Sequence, residues 1–397
     1  MPHMDSNEDI QDCCICGRKV PTVLSIKYAE LMGMADKYTM EIGYCETCGN
    51  IFVKNPFNEE KLNNRYTNFS KFEFDDESYI FDEDQDYRNR SNRQRDFISR
   101  SIDYSDVDSM LEVGAASGYN LSLYKDKLQV LGVEPSSNNC KNAMKKYGVE
   151  EYCGVFKQFY TEMKGKKKWD IIFLSHTLEH IVNPRKFISE CSELNSKYIF
   201  IEVPTFDYKF SNEPYGMFCE EHVNLFTLKS LQSLMNSCGY SLVNAEICMC
   251  IGQRMPAAFP SMVSLWKKGE VITQKVINDP KGVMDLYVKD SEKNLESVRK
   301  IIREIPDNER LALWGTGHHF SFLLANTDLL TKNIVRVYDS DKRKEGIPAC
   351  GCKIKPFDPE EIDTVIDSVV ILSYVALEPI KKALEKYSGR LKIYTLY

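Results

Sequence analysis

The sequence predicts an α/β protein with two units that each contain a parallel sheet, preceded by a small cysteine-rich module. Three observations favour this class. Short apolar runs alternate with helix-length segments from residue 108 onward, which is the pattern of βαβ units. The same alternation begins again at Leu311, after residues 285–304, whose apolar spacing predicts a helix. A chain of 397 residues also exceeds the size of one ordinary core, so two or three domains are expected.

The order of these elements divides the chain into four parts. The runs that predict strands are residues 109–113, 130–134, 169–174 and 198–203 in the first unit, and 311–314, 334–339 and 367–372 in the second. The predicted parts are a cysteine-rich module at 1–57, a solvated connector with some helix at 58–107, an α/β core at 108–270 and a second Rossmann-like unit at 271–397.

The amino-acid composition limits which binding partners and which cellular compartment can be expected. The formal net charge of -7 argues against a nucleic acid as partner, because phosphate binding needs a concentrated basic surface. We find no apolar run long enough to span a bilayer, and residues 1–10 lack the apolar stretch of a signal peptide. Fourteen cysteines in such a chain favour thiols and metal ligands over a disulfide framework. We therefore expect a cytoplasmic protein with a small-molecule substrate and no membrane partner.

Two Cys-x-x-Cys pairs near the N-terminus are the most specific local signal. Cys13 and Cys16 form the first pair, and Cys45 and Cys48 form the second. Four thiolates brought together by two such turns suit a structural zinc ion with no open coordination position. Cys14, inside the first pair, is predicted to be a bystander. The alternative interpretation is two unrelated turns with free thiols.

A strand followed by a glycine-rich turn predicts a nucleotide-like ligand at the start of the first unit. Glu112 lies in the strand, and Gly114, Ala116 and Gly118 form the turn before a predicted helix. Glu134 ends the next strand, where a carboxylate would accept both hydroxyls of a ribose. The turn lacks the full Gly-x-Gly-x-x-Gly pattern, which points away from a dinucleotide.

The following strand leads into Ser-His-Thr-Leu-Glu-His-Ile at 175–181. Together with the turn and Glu134, this segment resembles class I S-adenosylmethionine methyltransferases over residues 108–245. The pattern departs at Ala116, where many relatives carry Gly, and an α/β domain without this cofactor is the alternative. The resemblance implies that S-adenosylmethionine is the cofactor. The residues it implies for cofactor binding are Glu112, Gly114, Ala116, Gly118, Glu134, Ser175 and His176.

Histidines near the ends of strands are candidates for proton transfer. His180 follows the third strand, and Glu221 and His222 lie in an acidic segment at 218–226. A carboxylate beside an imidazole can hold it as a general base, which methyl transfer to an acceptor requires. The alternative interpretation of this segment is a surface turn packed by Phe226.

The order of the parts, with Glu-His-x-x-x-Phe at 221–226, resembles the sugar C-methyltransferase family. That resemblance implies a nucleotide-linked deoxysugar as acceptor, in polysaccharide or secondary-metabolite biosynthesis. It also implies that the last domain holds the nucleotide end of the acceptor. The residues carried over for this role are Gly315, Gly317, His318 and Lys344. Asp339, at a strand end, either accepts a ribose hydroxyl or merely ends the strand.

One departure from that family concerns the chemistry. Relatives that methylate carbon usually have Tyr-His-Glu-His where this chain has Cys-Glu-Glu-His at 219–222. Tyr215 is close enough in sequence to replace the missing tyrosine, and His180 aligns with a family active-site histidine. The catalytic candidates are therefore His222, Glu221, His180 and Tyr215. O- or N-methylation of a small molecule, an RNA base methyltransferase and a non-catalytic binding protein are the alternatives.

Overall fold

The computed structural model describes residues 11–29, 37–62, 85–250, 259–273, 275–276 and 278–397. The strands are β1 (Gln11–Asp12), β2 (Lys19–Val20), β3 (Thr22–Tyr28), β4 (Tyr38–Tyr44), β5 (Ile51–Val53), β6 (Ser109–Val113), β7 (Gln129–Glu134), β8 (Glu151–Cys153), β9 (Trp169–Ser175), β10 (Asn195–Pro204), β11 (Asn224–Leu225), β12 (Tyr240–Cys250), β13 (Phe259–Lys268), β14 (Leu311–Trp314), β15 (Ile334–Tyr338), β16 (Pro348–Ala349), β17 (Cys352–Lys355), β18 (Ser368–Ile371) and β19 (Lys392–Thr395).

The helices are α1 (Gln85–Ser101), α2 (Tyr119–Ser122), α3 (Ser137–Asn142), α4 (Phe156–Met163), α5 (Pro184–Leu194), α6 (Leu228–Ser237), α7 (Pro280–Glu304), α8 (His318–Asn326) and α9 (Leu377–Leu384). Single turns of 3-10 helix span Tyr104–Asp106, Leu178–His180, Asp328–Thr331, Lys342–Lys344, Pro359–Glu361 and Glu385–Tyr387, and a π-helical turn spans Ala143–Tyr147. Each of the seven predicted strands is present, with ends that differ by up to three residues.

A seven-stranded sheet in the order β12-β13-β10-β9-β6-β7-β8 forms the first unit. Neighbouring strands from β10 to β8 are parallel, and β13 lies antiparallel between β10 and β12. Strand β6 leads to β7 on one side, whereas β9 lies on its other side, so the order reverses at this point. In an open α/β sheet, the crevice at the carboxyl ends of such strands is where a ligand binds. The predicted α/β fold with a Rossmann-like core is confirmed.

Helix α1 corrects the prediction of a solvated connector at 58–107. Phe97 and Ile98 are buried in the apolar core beside the seven-stranded sheet. Ser91 and Gln94 on the same helix are also only 1% exposed. Residues 63–84 of the predicted connector lie outside the described residues. The helix is therefore part of the packed core, because burial of its apolar side chains removes that surface from water.

The N-terminal sheet has the order β11-β5-β4-β3, and its edge strand β11 comes from the middle of the chain. Asn224 and Leu225 pair with Phe52 and Ile51. The amide of Val53 also donates to the carbonyl of Val223 at 2.9 Å. The cysteine-rich module thus holds the segment that follows His222.

The second α/β unit contains a six-stranded sheet in the order β16-β17-β15-β14-β18-β19. It contacts the N-terminal sheet through α8, where the Ala29 amide donates to the carbonyl of Ser321 at 3.0 Å. One apolar core joins side chains of the N-terminal sheet, α7 and this second sheet, Ile42, Leu295 and Leu313 among them. The exact domain boundaries stay a prediction.

The cysteines follow the expectation of free thiols with one exception. Cys140 and Cys153, on neighbouring elements α3 and β8, lie at bonding distance. Free thiols among the other described cysteines are Cys13, Cys14, Cys16, Cys45, Cys48, Cys191, Cys219, Cys238 and Cys352. Among the described residues, no helix combines the length and the apolar character needed to cross a bilayer.

Candidate active site

The turn after β6 has the backbone geometry of a close ligand contact. Gly114, Ala116 and Gly118 have φ angles of 79°, 52° and 72°, in the left-handed region. A Cβ at Gly114 would lie 2.8 Å from Oγ1 of Thr177, so no side chain fits there without movement. Ala116 adopts a conformation that costs a residue other than glycine roughly 1–2 kcal/mol. The turn keeps the glycine-type conformation even where the sequence departs from the usual glycine.

The Glu134 carboxylate faces this turn from the end of β7. Its Oε2 accepts a hydrogen bond from the Ala116 amide at 2.9 Å. Its Oε1 accepts one from the Ser136 amide at 2.9 Å and another from Nδ2 of Asn139 at 3.4 Å. Glu134 is 8% exposed and lines a cavity. The carboxylate therefore stabilises the turn and faces the cavity at the position expected for a ribose ligand.

Two further carboxylates lie near Glu134. Burial raises the pKa of Glu112 to about 8, although Nδ2 of Asn120 donates to it at 3.1 Å. Burial and the charge of Glu134 raise the pKa of Glu151, on β8, to about 9. Glu151 was not predicted from the sequence. A cation bound nearby would favour the charged form of these groups, which suits a positively charged cofactor.

A cavity of about 680 Å³ extends from this turn to the histidines. A volume of this size accommodates a cofactor together with part of a second ligand. Described residues that line the cavity come from α1, from the carboxyl ends of β6, β7 and β9, from the segment before β11 and from the loop after β18. Those used below are Glu112, Gly114, Ala116, Glu134, Ser175, His176, Glu179, His180, Met217, Glu221, His222, Tyr374 and Val375.

His176 and Ser175 are held by buried polar side chains that the sequence did not reveal. Nε2 of His176 lies 3.5 Å from Oε1 of Glu202, and Arg93 forms an ion pair with that same oxygen at 2.8 Å. Nε2 of Gln94 donates to Glu202 at 2.6 Å and to Oγ of Ser175 at 2.7 Å. Because Arg93 and Gln94 lie on α1, the lead-in helix contributes directly to the site.

Glu179, His180 and His222 also line the cavity and lie close together. The rings of His180 and His222 are 4.9 Å apart, and Nε2 of His180 is 3.9 Å from Glu179. Nδ1 of His180 donates to the Glu221 carbonyl oxygen at 3.0 Å. Nδ1 of His222 is buried without a hydrogen-bond partner among the described residues. The fold thus brings together His180 and His222, which are 42 residues apart in sequence.

Charge states in this cluster follow from burial. Burial lowers the pKa of His180 and of His222, although the nearby Glu179 raises both. Burial alone would raise the pKa of Glu179, but the surrounding imidazoles, first His176 and then His180, lower it to about 2. Near neutral pH the cluster therefore contains an ionised carboxylate and imidazoles whose neutral forms are favoured, as a general base requires.

Tyr215 does not lie in the cavity, which corrects the prediction that it replaces the missing tyrosine. Its hydroxyl donates to Oε2 of Glu292 on α7 at 3.1 Å, and its amide donates to Oγ of Ser291. It is absent from the described residues that line the cavity, whereas Met217 is present. The backbone φ of 59° at Tyr215 directs the chain towards α7.

His318 is likewise in a different place from the one predicted. Its Nδ1 lies 2.5 Å from Oε2 of Glu220, and its Nε2 lies 3.1 Å from the Phe218 carbonyl oxygen. Burial would lower the pKa of His318, but the charge of Glu220 outweighs it and raises the pKa to about 9. This ion pair joins α8 to the segment before β11 and takes His318 away from a role in contacting an acceptor.

The other residues predicted to hold the acceptor form a closed turn of the second sheet. Nζ of Lys344 pairs with Oδ2 of Asp339 at 3.0 Å, and the Thr316 amide donates to that oxygen at 2.8 Å. Gly315, Gly317 and Lys344 are not among the described residues that line the cavity. Tyr374 and Val375, after β18, line it instead, and only their position at the carboxyl end of a strand could have suggested them.

The ion pair of Glu220 and His318 predicts a pH-dependent stability. Because the folded pKa of His318 is raised, the stabilisation is fully present below about pH 6.5 and is lost as the pH rises through about 9. Glu220→Gln should lower the free energy of unfolding by about 3 kcal/mol at pH 6. This is the lower limit for a buried ion pair, and we choose it because the His318 side chain is 24% exposed.

Urea unfolding at pH 6 and pH 10 measures this effect. The difference between Glu220→Gln and the unsubstituted protein should shrink at pH 10. Glu246→Gln, which removes a carboxylate from an exposed pair with Arg100, is the control and should change stability little at either pH. An equal loss at both pH values would show that His318 does not carry the effect.

Four cysteine sulfurs meet at the N-terminal module. Sγ of Cys13 lies 3.5 Å from Sγ of Cys48, and Sγ of Cys16 lies 3.5 Å from Sγ of Cys45. All four lie within 4.8 Å of one another. A zinc tetrahedron with bonds of about 2.3 Å has edges of roughly 3.8 Å, so the sulfurs fit this ion. Cys14 lies outside the group and its thiol donates to Asn224 of β11 at 3.2 Å.

Comparison with known proteins agrees with this geometry. Residues 81–245 match the family model described as a methyltransferase domain. The chain contains a methyltransferase domain. The match begins earlier than the predicted core and includes α1, which supplies Arg93 and Gln94. Among curated proteins, none has a significantly similar sequence.

Solved structures with a similar fold include two methyltransferases of named function. The 1,6-didemethyltoxoflavin-N1-methyltransferase of Burkholderia thailandensis is 14% identical, with 57% of this chain and 99% of that chain covered and a TM-score of 0.41. The magnesium protoporphyrin IX methyltransferase of Synechocystis is 12% identical, with 53% and 100% covered and a TM-score of 0.38. At this level the likeness concerns the fold alone.

Proposed function

We propose that the cavity binds S-adenosylmethionine at the turn after β6 and its acceptor at the histidines. Gly114, Ala116 and Gly118 would face the cofactor with backbone, and Glu134 would accept its ribose hydroxyls. Glu112, Ser175 and His176 would complete the cofactor site. The single observation that carries this proposal is one continuous cavity that is lined both by Glu134 and by His180 and His222.

The proposed reaction is an in-line methyl transfer. The cofactor supplies a methyl group on a positively charged sulfur, which leaves with the carbon–sulfur electron pair. His222 accepts the proton that the acceptor loses, because burial favours its neutral form and its Nδ1 has no other partner among the described residues. Glu179 stabilises the imidazolium that forms. The walls of the cavity exclude water and align the acceptor.

We propose a nucleotide-linked deoxysugar as the acceptor, with methylation at carbon. The order of a four-cysteine module, a methyltransferase core and a second Rossmann-like unit supports this class by resemblance. Support from the structure comes from Tyr374 and Val375, through which the second unit contributes to the lining of the same cavity. The Cys at position 219 weakens the case for carbon, since burial raises the pKa of that thiol to about 12 and the side chain does not line the cavity.

Methylation of a hydroxyl or amine of a sugar is the second candidate. A panel of nucleotide-linked sugars incubated with protein and S-adenosylmethionine, followed by mass spectrometry, tests both. A gain of one methyl group is expected, and NMR would assign it to carbon, oxygen or nitrogen. Cofactor binding without transfer to any sugar would favour a binding protein, and methylation of RNA alone would favour the nucleic-acid alternative.

We also propose that Cys13, Cys16, Cys45 and Cys48 hold a structural zinc ion. The fit of the four sulfurs to a tetrahedron supports it, as do two turns in which Gly17 and Gly49 amides donate back to Cys13 and Cys45 at 2.8 and 2.7 Å. The ion would have no open position for chemistry. It would act on the site indirectly, because β5 pairs with the strand that follows His222.

Removal of zinc should therefore lower methyl transfer more than cofactor binding. Chelation of the zinc is expected to unfold the module, since such modules fold with their metal, and to reduce the transfer rate at least tenfold by releasing His222. Calorimetry with S-adenosylmethionine and transfer assays before and after chelation measure the two effects. Cys14→Ser is the matched control, because Cys14 lies outside the four-sulfur group. Full transfer by zinc-free protein would contradict the proposal.

A further inference from the structure

We propose that Glu179, His180 and His222 bind a divalent transition-metal ion at the acceptor end of the cavity. The inference deepens the proposed function and rests on it, because the ion would bind an oxygen of the acceptor. One ligand atom from each residue lies within 4.8 Å of the others. Two imidazoles and one carboxylate are a ligand set that leaves open positions on a first-row ion.

The carboxylate of Glu179 is the first reason to expect an ion here. Glu179 is 1% exposed, and neither of its oxygens accepts a hydrogen bond of good geometry from the described residues. The nearest imidazole nitrogen, Nδ1 of His176, is 3.3 Å away. A buried carboxylate without strong hydrogen bonds is costly unless a charge or a metal compensates for it. A cation between Glu179 and the two histidines would supply that compensation.

The orientation of His180 is the second reason. Its Nδ1 lies 3.0 Å from the Glu221 carbonyl oxygen, which can only accept a hydrogen bond. Nδ1 therefore carries the proton, and Nε2 presents its lone pair towards Glu179 at 3.9 Å. Histidine ligands of metals are commonly fixed in this way by a carbonyl oxygen on the other nitrogen. The outer contact expected of a metal ligand is thus already present.

The position of the cluster is the third reason. All three residues line the cavity that holds the proposed cofactor site, so an ion there would have its open positions directed at the acceptor. Two imidazole nitrogens favour an ion such as Zn²⁺, Fe²⁺ or Ni²⁺ over Mg²⁺, which prefers oxygen ligands, and Mn²⁺ can serve as a spectroscopic probe of the site. With one carboxylate, the site keeps a net positive charge that would attract an acceptor oxygen.

In this form of the reaction, the ion takes over the role of His222. Bound to a carbonyl oxygen of the sugar, it would lower the pKa of the neighbouring C–H; bound to a hydroxyl, it would lower the pKa of that O–H. In either case the proton would pass to the Glu221 carboxylate, which lines the same cavity. The electron pair left on the acceptor forms the bond to the methyl carbon. The carbon–sulfur pair remains on sulfur, so no oxidant or reductant is needed.

Metal stoichiometry of the full chain tests the proposal. Zinc-loaded protein, dialysed to remove weakly held metal, is titrated with Mn²⁺ and with Zn²⁺, and bound metal is counted by mass spectrometry. We expect a second equivalent beyond the one at the four cysteines. Glu179→Gln, His180→Ala and His222→Ala should each weaken this second binding more than about tenfold, because even loss of an outer contact costs that much. Glu221→Gln is the matched control and should keep both equivalents.

The unsubstituted protein provides a test that does not depend on variants. With Mn²⁺ in the second site, pulsed electron paramagnetic resonance should detect coupling to imidazole nitrogen. A single equivalent of metal under all conditions, a second equivalent that survives His222→Ala, or Mn²⁺ without nitrogen coupling would overturn the proposal. Calorimetry with S-adenosylmethionine separates the two ideas, since absent cofactor binding refutes the proposed function whatever the metal content.

Discussion

Replacement of Glu134 by Gln should weaken S-adenosylmethionine binding by about 10- to 100-fold. Hydrogen bonds to charged groups contribute about 1.5–3 kcal/mol, and the amide offers one acceptor oxygen instead of two. The remaining oxygen must also serve the amides of Ala116 and Ser136, which both donate to the carboxylate. The substitution therefore disturbs the turn as well as the ribose contact. Isothermal calorimetry measures the dissociation constant.

The product S-adenosylhomocysteine distinguishes the ribose contact from an effect of charge. Both ligands contain the ribose, so Glu134→Gln should weaken both by a similar factor. A loss confined to the sulfonium form would instead indicate that Glu134 acts through its charge. Glu246→Gln, at an exposed pair with Arg100, serves as the control and should leave both dissociation constants unchanged. Unchanged binding in Glu134→Gln would remove Glu134 from the cofactor site.

Replacement of His222 by Ala should lower the rate of methyl transfer by about 10²- to 10⁴-fold, the usual contribution of a positioned acid or base. Cofactor affinity should change little, because His222 lies at the acceptor end of the cavity. Single-turnover kinetics with the acceptor found in the sugar panel measures the rate. If His222→Ala weakened S-adenosylmethionine binding but left the transfer rate unchanged, His222 would be a cofactor contact and not the proton acceptor.

The pH profile of the unsubstituted protein gives an independent readout. Burial lowers the pKa of His222, so its neutral form persists below pH 6.5 and the transfer rate should stay level from pH 8 to that point. The rate should fall only at lower pH, as the imidazole becomes protonated. Tyr215→Phe is the comparison variant and should transfer within about twofold of normal, since its hydroxyl contacts Glu292 outside the cavity.

Local sequence patterns were sufficient for much of the fold and for one end of the site. Apolar runs gave the position of the seven predicted strands, because a parallel strand buried on both faces needs continuous apolar residues. The turn at Gly114 and the carboxylate at 134 are close in sequence and adjacent in the sheet, where β6 pairs with β7. The cysteine spacing was equally informative, since each pair forms its own turn.

The rest of the site depended on contacts between distant parts of the chain. Arg93 and Gln94 reach Glu202 from a helix whose polar sequence suggested a solvated connector with some helix. The sequence motif predicted that His318 contacts the acceptor. Helix α8 packs against β3, however, and this packing brings His318 into an ion pair with Glu220. Tyr215 was close in sequence to the expected position, but a left-handed backbone turns it towards α7.

The sequence by itself determined the Rossmann-like core, the glycine turn with its carboxylate and the four-cysteine group, because periodicity and short spacing encode them. Only the tertiary structure decided which histidines meet, which tyrosine lines the cavity and that the N-terminal sheet supports the segment after His222. Such pairings arise when the apolar faces of separate elements pack together. The spacing of residues along the chain does not specify which polar side chains come into contact when those faces pack.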